Sequence, residues 1–328
     1  MKAIMCEKYG SPNILHLRET PKPVPKDNEA LVKIRAASLN AADLEMLRGD
    51  FVARMVAPLK PKHRIPGTDF AGQIEAIGSR VMHFKPGDEL WGDLSFPLAC
   101  GTLAEYVCIP QEALRLKPPR MTFEEAAATP TAAVVALQKL RIKGPIRSGQ
   151  KVLINGAGGG VGTFAIQIAK YFGADVTGVD STEKLDTLHA VGVDHVIDYT
   201  QEDFTQNGQR YDLILDIVVR RSFFAYRRAL NPQGICVMVG GSLSRVLTNK
   251  VLGSILPNAG NKEMGLGEWN PNKKEDLNFL QVLFEAGKVK PVIDRGYPLS
   301  EVPEAFRYLE AGHIRGKAVI TMENSDRT

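Results

Sequence analysis

The residues whose types and spacing best suit chemistry are the glycines between Gly156 and Gly162, which occupy five of seven positions. Glycine has no Cβ, so the backbone can take conformations closed to other residues and a bulky partner can approach it. The N–H groups at the start of a following helix, with the helix dipole behind them, suit a pyrophosphate. The stretch therefore predicts an anion-binding turn formed by Gly156, Ala157, Gly158, Gly159, Gly160 and Val161.

Two strands and a helix must position that turn. The apolar run 152–154 predicts a buried strand before it, and apolar residues over 163–170 recur at helical spacing after it. A second apolar run, 176–179, ends in Asp180, eighteen residues beyond the last glycine of the turn. This is the spacing of a βαβ unit that binds a dinucleotide. Ala157 stands where a strict G-x-G-x-x-G has its first glycine, and a turn without a ligand is the alternative.

Length and composition limit the classes of function. A chain of 328 residues suggests two domains, and 44% hydrophobic with 24% charged residues is an ordinary soluble composition. The net charge of +4 is small and no basic block stands out, so we expect no nucleic-acid partner. No apolar run is long enough to span a bilayer and the first residues lack a signal-peptide core. We therefore expect no membrane partner and a cytoplasmic location.

The four cysteines have no C-x-x-C pair, so they predict reduced thiols rather than a zinc lobe or a disulfide framework. Cys100, beside Gly101, is the one most worth testing for reactivity.

The pattern changes along the chain. Short alternating runs such as 30–35 and 71–77 predict a mainly β domain over residues 1–122. Thr122 and Glu125 then match a capping box, so a helix is expected to begin directly after Thr122.

Beyond that point strands and helices alternate, which predicts a parallel sheet covered by helices. The strand candidates are 152–154, 176–179, 195–198, 212–218 and 234–241. Helices are predicted at 273–287 and 302–311, and the strand-like tail is expected to rejoin the first domain. The predicted segments are therefore 1–122, 123–262 and 263–328, with the second boundary within 242–287.

Eight segments in order make the chain resemble the medium-chain dehydrogenase/reductase superfamily, in its zinc-free quinone oxidoreductase branch, which includes enone reductases. They are SLNAADLEMLRG (38–49), IPGTDFAGQIEAIG (65–78), KPGDELWG (85–92), GTLAEYV (101–107), TPTAAVVALQKL (129–140), INGAGGGVG (154–162), GVDHVIDY (192–199) and GHIRGKAVI (312–320). The resemblance implies an α/β protein with a GroES-like mainly β domain, a Rossmann domain with a doubly wound parallel sheet, and a substrate cleft between them. It also implies NAD(P)H as cofactor and a homodimer joined through the edge of the Rossmann sheet.

The resemblance also bears on zinc. Zinc-dependent members hold the metal with a cysteine near the position of Asn40, a histidine and glutamate in a G-H-E segment, and a later cysteine or aspartate. The corresponding residues here are Asn40, Thr68 and Asp69, and an amide and a hydroxyl are poor zinc ligands. We therefore expect no metal.

Without a Lewis acid, hydride delivery to a simple carbonyl loses its main charge stabilisation. In a conjugated enone or a quinone, the charge spreads onto an oxygen that hydrogen-bond donors can hold. We therefore expect NAD(P)H-dependent reduction of quinones or α,β-unsaturated carbonyls. The alternatives are an alcohol dehydrogenase and a non-catalytic nucleotide-binding sensor or structural protein.

Two residues are candidates for catalysis. Asn40 is a candidate hydrogen-bond donor to the substrate, with an Asx turn as the alternative. Tyr106 is a candidate proton donor, with packing in a strand as the alternative and solvent as the competing acid. Asp43 and Arg48 are expected on a solvent-exposed helix surface or in an ion pair.

The resemblance assigns further residues to the cofactor. It places Thr131 beside the nicotinamide, and Ile217 with the strand end Val239, Gly240 and Gly241 on the carboxamide side. Val219 stands where the family pattern D-x-V-G has its glycine, which bears on how the nicotinamide-side loop fits. Tyr199 and Lys317 are also placed near the cofactor, with a strand-end tyrosine and a surface lysine as the alternatives.

Asp180 favours NADH, because a carboxylate at the end of the second strand accepts hydrogen bonds from a ribose diol and repels a 2′-phosphate. Relatives in this branch commonly use NADPH, and Ser181, Thr182 and Lys184 would hold the phosphate if Asp180 turned away. The expected cleft loops, 50–64, 92–100 and 242–272, carry no recognisable code for a substrate.

Overall fold

The computed structural model of the chain describes residues 1–95, 101–142, 144, 146–240, 248, 251, 263–265, 269–270 and 273–322. The chain forms two compact units. Unit 1 comprises Met1–Thr131, Pro271–Leu277 and Ile293–Thr328, and unit 2 comprises Ala132–Asn270 and Asn278–Val292. The segment boundaries predicted from the sequence stay predictions.

The strands are β1 (Lys2–Met5), β2 (His16–Glu19), β3 (Glu29–Ser38), β4 (Asp69–Ile77), β5 (Glu89–Asp93), β6 (Tyr106–Pro110), β7 (Lys151–Asn155), β8 (Asp175–Asp180), β9 (His195–Asp198), β10 (Tyr211–Asp216), β11 (Leu230–Met238), β12 (Glu263–Gly265), β13 (Ile293–Pro298) and β14 (Lys317–Thr321). The α-helices are α1 (Ala41–Arg48), α2 (Phe51–Val56), α3 (Phe123–Ala127), α4 (Pro130–Leu140), α5 (Gly160–Tyr171), α6 (Leu185–Ala190), α7 (Phe223–Ala229), α8 (Lys274–Glu285) and α9 (Val302–Glu310).

Unit 1 is the mainly β part of the chain. Its larger sheet has the order β13–β14–β3–β4–β5, with β6 also paired to β3, and β1 and β2 form a separate antiparallel pair. The alternating runs 30–35 and 71–77 lie within β3 and β4, which confirms them as strands. Because β14 pairs with β3, the C-terminal strands share a sheet with strands from the first third of the chain.

The capping box predicted at Thr122 is confirmed. The Thr122 hydroxyl accepts from Glu125 N at 3.1 Å, and the Glu125 carboxylate accepts from Thr122 N at 2.9 Å. This helix, α3, ends at Ala127, and a second helix, α4, begins at Pro130. Proline fits the first turn of a helix, where its missing N–H would have no intrahelical partner, so the alanine-rich run forms two helices.

Unit 2 is a Rossmann domain. Its described strands have the order β12–β11–β10–β7–β8–β9, and every pair is parallel. Counted from β7, this is the 3-2-1-4-5-6 order of a dinucleotide-binding sheet, whose strand order reverses between β7 and β10. The strand predicted at 195–198 is β9, whereas β11 begins four residues before the predicted strand 234–241 and ends at Met238.

Both sheets are lined by buried apolar side chains. Phe70, Leu90 and Ile109 lie in one core of unit 1, and Leu153, Ile214 and Tyr226 lie in a core of unit 2. In the part of the chain that the structure describes, no helix combines the length and the apolar character needed to cross a bilayer.

Candidate functional site

The glycine turn joins β7 to α5 in unit 2. Gly156 has φ +84°, a left-handed conformation that favours glycine, and its N–H donates to Val179 O at 3.0 Å. Ala157 N donates to the same carbonyl at 3.1 Å, so the start of the turn is tied to β8. Gly159 is the N-cap of α5, and Gly160 and Val161 open the helix. The first N–H groups of a helix have no acceptor within it.

One side of the glycine turn is closely packed against the start of α5, and the other side is open. A Cβ on Gly162 would lie 2.4 Å from Gly156 O and 2.5 Å from Ala157 O, so only glycine allows α5 to begin this close to the turn. A Cβ on Gly159 would meet only Gly156 O, at 3.6 Å. Gly159, Gly160 and Val161 are partly exposed. The open face thus presents helix-start amides, which fits the pyrophosphate of a nicotinamide dinucleotide.

Asp180, at the end of β8, is bound to the same turn. One carboxylate oxygen accepts from Gly158 N at 2.7 Å and the other from Ser181 N at 2.9 Å. The Lys184 Nζ lies 4.0 Å from the carboxylate, and both side chains are buried. Tyr199 donates its backbone N–H to Asp180 O at 3.1 Å while its side chain is exposed. The structure therefore brings the predicted ribose-side residues together at one strand end.

Ile217, Val239 and Gly240, which were predicted on the carboxamide side of the nicotinamide, follow the carboxyl ends of β10 and β11. Ile217 N donates to Asn155 O at 3.0 Å, and Val239 N donates to Asp216 O at 2.8 Å. Gly240 has φ +70°, and a Cβ there would lie 3.4 Å from Ile217 O. These residues adjoin the point where the strand order reverses, the usual place for a ligand in such sheets. Gly241 lies outside the described residues.

Val219, at the position of the glycine in the family pattern, has a left-handed backbone conformation. Its φ is +50°, which a β-branched residue rarely adopts. One Asp216 oxygen accepts from Val218 N at 2.8 Å, Val219 N at 2.7 Å and Asn155 Nδ2 at 3.0 Å. Tyr226 donates its hydroxyl to the other oxygen at 2.7 Å. The buried Asp216 carboxylate thus holds the loop in place.

In unit 1, several polar side chains converge on Asp69, which is fully buried. Asn40 Nδ2 and Ser38 Oγ donate to Oδ2 at 2.9 and 3.0 Å, and Lys317 Nζ lies 3.3 Å from the same oxygen. Thr131 donates to Oδ1 through its backbone N–H at 3.1 Å and contacts it through its hydroxyl at 2.7 Å. Lys317 also donates to Asn40 Oδ1. We call these residues the Asp69 cluster.

The Asp69 cluster contains Asn40, Thr131 and Lys317 from the predicted site residues. Asn40 precedes α1, and its side-chain N–H groups already face Asp69 and, at 3.4 Å, Thr68 Oγ1. Lys317 is 2% exposed, so the alternative of a surface lysine is wrong. The assigned roles of all three in cofactor or substrate binding stay predictions.

Asp43 is not on an exposed helix surface, so that expectation was wrong. Its side chain is buried, and its carboxylate accepts from Asn40 N at 2.8 Å, as a residue in the first turn of α1 can. Burial, together with the nearby charges of Asp69 and Asp93, raises the pKa of Asp43 to about 7, although the hydrogen bond from Asn40 N and the charge of Lys317 lower it. Arg48, by contrast, forms the expected ion pair, with Glu310 at 2.6 Å.

Tyr106 lies away from the Asp69 cluster. It pairs with Lys33 in the β3–β6 ladder, five residues before the end of β3, which is about 16 Å at the usual rise of a strand. The Lys22 Nζ lies 3.9 Å from the Tyr106 ring centre. Burial, and then hydrogen bonding to Glu75, raise the pKa of Tyr106, which makes it a weaker acid. The structure does not bring the two catalytic candidates together.

The Asp69 cluster does not fit a zinc ion. Asn40 and Thr68 present an amide and a hydroxyl, and the Asp69 carboxylate already pairs with the Lys317 ammonium. Zinc prefers thiolate, imidazole or carboxylate ligands, and a second cation at the same oxygen is electrostatically unfavourable. Within residues 1–95 and the other described ranges, no group of three or more His, Cys, Asp or Glu side chains could hold a metal.

Sequence reasoning gave no role to Asp93 and named Asp69 only as a replaced ligand position. The two residues lie opposite each other in the β4–β5 pair, Asp69 as the first residue of β4 and Asp93 as the last residue of β5. Because aspartate is depleted in strands, its presence at these two strand positions was the sequence feature that could have marked both residues as functional. Of the cysteines, Cys6, Cys108 and Cys236 are free thiols, and burial raises the pKa of each. Cys100 lies outside the described residues.

Two known families match the chain in the regions just described. Residues 26–119 match the family described as alcohol dehydrogenase GroES-like domain, in unit 1. Residues 191–320 match the family described as zinc-binding dehydrogenase.

Individual relatives match over nearly the whole chain. It is 37% identical over 331 residues to 2-methylene-furan-3-one reductase of Solanum lycopersicum, covering 98% of this chain and 79% of that protein. It is 33% identical over 330 residues to the chloroplastic NADPH-dependent alkenal/one oxidoreductase of Arabidopsis thaliana, with the same coverage of 98% and 79%. Among solved structures, the quinone oxidoreductase from Coxiella burnetii has a TM-score of 0.85 and 32% identity, covering 98% of this chain and 99% of that one.

Proposed function

Because the chain belongs to the medium-chain dehydrogenase/reductase superfamily, in its zinc-free quinone oxidoreductase-like branch, we propose that it reduces quinones or α,β-unsaturated carbonyls with NAD(P)H. The names of the relatives support this choice of substrate class. A 2-methylene-furan-3-one, an alkenal and a quinone are all conjugated carbonyl compounds.

The observation that carries the proposal is the composition of the Asp69 cluster. It presents an amide, a hydroxyl and an ammonium group, those of Asn40, Thr68 and Lys317, where a zinc enzyme needs metal ligands. A cluster without metal ligands supplies no Lewis acid to a simple carbonyl, whereas the charge on a conjugated acceptor spreads over several atoms, so the cluster suits a conjugated acceptor better than a simple alcohol or aldehyde.

The cofactor site of the proposal is the glycine turn of unit 2. When bound, NAD(P)H supplies the hydride that the reaction needs. The amides of Gly160 and Val161 would hold its pyrophosphate, and the Asp180 carboxylate lies where the adenosine ribose is bound in such units. The chain's own task is to orient the two reactants, since no residue needs to carry electrons.

The test is an acceptor panel followed at the absorbance of the reduced cofactor. The purified protein is incubated with NADH or NADPH and with a quinone, an alkenal, a 2-alkenone, a saturated aldehyde, or a simple alcohol plus oxidised cofactor, each with and without a chelator. We expect oxidation of NAD(P)H only with the conjugated acceptors, unaffected by chelator. Alcohol oxidation that the chelator abolishes would identify an alcohol dehydrogenase instead, and cofactor binding without turnover would identify a non-catalytic nucleotide-binding protein.

We also propose that the protein forms a homodimer, as its branch of the superfamily suggests. In the described part of unit 2, β12 lies at one edge of the sheet, where its outer backbone groups can pair with a second copy. Light scattering coupled to size exclusion over a range of concentrations tests this proposal. A mass near 36 kDa at every concentration contradicts it.

A further inference from the structure

The Thr131 hydroxyl lies between two buried carboxyl groups of unit 1. Its oxygen is 2.7 Å from Asp69 Oδ1 and 2.9 Å from Asp93 Oδ2. Asp69 is 0% exposed and Asp93 is 3% exposed, whereas Thr131 is only half-buried. Thr131 is therefore the one member of this trio that a ligand can approach.

The number of hydrogens available to these three groups limits which of the two carboxyl groups can be ionised. A threonine hydroxyl has a single hydrogen, so it can donate to only one of two carboxyl groups. If both were ionised, the second contact would place two electron-rich oxygens 2.9 Å apart without a hydrogen between them. Both contacts are hydrogen bonds only if one carboxyl group is protonated and donates to the hydroxyl oxygen.

Of the two carboxyl groups, Asp93 is the better placed to carry the proton. The Asp69 carboxylate is surrounded by further donors, which satisfy an ionised group: Thr131 N, Ser38 Oγ, Asn40 Nδ2 and Lys317 Nζ, at 3.1, 3.0, 2.9 and 3.3 Å. Among the described residues, the backbone N–H that Asp93 accepts from is that of Ser95, at 2.7 Å. A protonated Asp93 thus donates to the Thr131 hydroxyl oxygen, and the Thr131 hydroxyl donates its own hydrogen to Asp69.

The surrounding charges favour that proton. Burial, and then the negative charge of Asp69, raise the pKa of Asp93 to about 6. In the described part of unit 1, the other charged groups that interact with these carboxyl groups are Asp43 on α1 and Lys317 on β14. Helix α3, which packs on β5, buries only Ala126 and Ala127, and of its charged residues Glu124 is exposed and Glu125 accepts from Thr122 N.

We propose that Asp93 stores the proton that the reduction consumes and that the Thr131 hydroxyl delivers it to the substrate. This inference rests on the proposed function, because hydride transfer from NAD(P)H brings two electrons and leaves the acceptor as an anion. The Thr131 hydroxyl turns its hydrogen from Asp69 Oδ1, which keeps Thr131 N as a donor, to the anionic oxygen of the substrate. The Thr131 O–H bond then breaks and its proton joins that oxygen, giving the enol or hydroquinone. The Asp93 O–H bond breaks as its proton joins the Thr131 oxygen, and water then reprotonates the Asp93 carboxylate.

The first experiment needs neither cofactor nor substrate. Infrared spectra of the ligand-free protein separate the carbonyl band of a protonated carboxyl group from the bands of ionised carboxylates. We expect a protonated-carboxyl band that titrates near pH 6 and that Asp93→Asn removes. Asp43→Asn separates the Asp43 signal, expected near pH 7. Asp27→Asn, an exposed control in unit 1, keeps both bands.

The second experiment is the pH profile of kcat. The Asp93→Asn side chain can keep both hydrogen bonds, through its amide oxygen to Ser95 N and its N–H to Thr131, but it has no proton to give. The acid form is the active one, so wild-type kcat falls as pH rises through about 6. For Asp93→Asn we expect a kcat lower by on the order of 10²-fold below that pH, no such fall with pH, and little change in KM.

Thr131 variants test the delivery step. Thr131→Val removes the hydroxyl and should lower kcat as Asp93→Asn does, whereas Thr131→Ser keeps the hydroxyl and should restore most of it. Circular dichroism and melting curves show whether each variant is folded. If a variant is not folded, the infrared titration of the wild-type protein still tests for a carboxyl group that is protonated below about pH 6.

The outcomes separate this proposal from the proposed function. An infrared band unchanged in Asp93→Asn overturns the stored proton whatever the enzyme reduces. Wild-type kcat and pH profile in Asp93→Asn overturn the delivery role and leave the reductase intact. A wild-type protein that oxidises NAD(P)H with none of the acceptors removes the proposed function, and the delivery role with it, while the infrared result still decides where the proton lies.

Discussion

Substitutions in the glycine turn should separate effects on the stability of the fold from effects on cofactor binding. In Gly162→Ala, the new Cβ would lie 2.4 Å from Gly156 O, against an ordinary contact of 3.4 Å or more, so backbone must move by about 1 Å. Overpacking of this kind costs roughly 1–3 kcal/mol, which lowers the melting temperature of a chain of this size by roughly 2–12 °C. The smaller entropy of the unfolded alanine chain offsets about 0.4–1 kcal/mol of that cost.

Gly159→Ala is the matched variant within the turn. Its Cβ would meet only Gly156 O, at 3.6 Å, and its φ is −85°, so the fold should tolerate it. Alanine is a poorer N-cap than glycine, which costs a few tenths of a kcal/mol to about 1 kcal/mol. The added methyl group occupies the open face where we expect the pyrophosphate. Gly296→Ala, in β13 with nothing within 4 Å of its Cβ, is the control outside the turn.

The assays are melting curves of the cofactor-free protein and fluorescence titration with NADPH and NADH. We expect Gly162→Ala to lose both stability and affinity, and Gly159→Ala to keep its melting temperature within a few degrees while its Kd rises roughly 10-fold, or about 1.4 kcal/mol. Gly296→Ala should match the wild type in both assays. Unchanged affinity in Gly159→Ala would mean that the pyrophosphate does not lie on this turn.

Three further predictions concern single side chains. Asp180→Ser should shift the ratio of kcat/KM for NADPH over NADH upward, and Asp180→Asn should do the same while keeping an acceptor for Gly158 N; an unchanged ratio in both discards the role. Lys317→Met leaves the buried Asp69 carboxylate without its cation and should cost roughly 3–5 kcal/mol in melting or denaturant curves, against at most about 1 kcal/mol for the exposed pair in Arg48→Met. Because the pKa of Asp43 is raised, the folded state binds this proton more tightly than the unfolded state does, so the free energy of unfolding should fall as pH rises from 3.8 towards about 7. Asp43→Asn should flatten that part of the profile of unfolding free energy against pH. An unchanged slope would contradict the assignment to Asp43.

The turn and its strands could be predicted because each is specified locally. The apolar runs of β7 and β8 are buried whatever else the chain does, and the capping box at Thr122 involves residues three apart. A glycine that must take a positive φ, such as Gly156 at +84°, is marked by its own identity.

The Asp69 cluster could not be predicted in the same way, because its members are far apart in sequence. Asp69 meets Lys317 across 248 positions, and Asp69 meets Asp93 only through the register of β4 and β5. Periodicity states which face of a strand is buried but not which strand lies beside it. The resemblance placed Asn40 near the reaction site, but only the packing shows that its amide is bound to Asp69.

Val219 shows how a buried hydrogen-bond acceptor can hold a backbone conformation that the residue type itself disfavours. Its left-handed backbone, at φ +50°, costs of order 1–3 kcal/mol for a residue that is not glycine. The Val219 side chain is 1% exposed, and burying a valine side chain contributes about 1.5–3 kcal/mol, which is comparable to the cost of the left-handed backbone. Because the Asp216 carboxylate binds the N–H groups of Val218 and Val219, any other loop conformation would leave a buried charge with fewer donors. The aspartate, rather than the residue at 219, therefore sets the shape of the loop, and the valine is tolerated because of it.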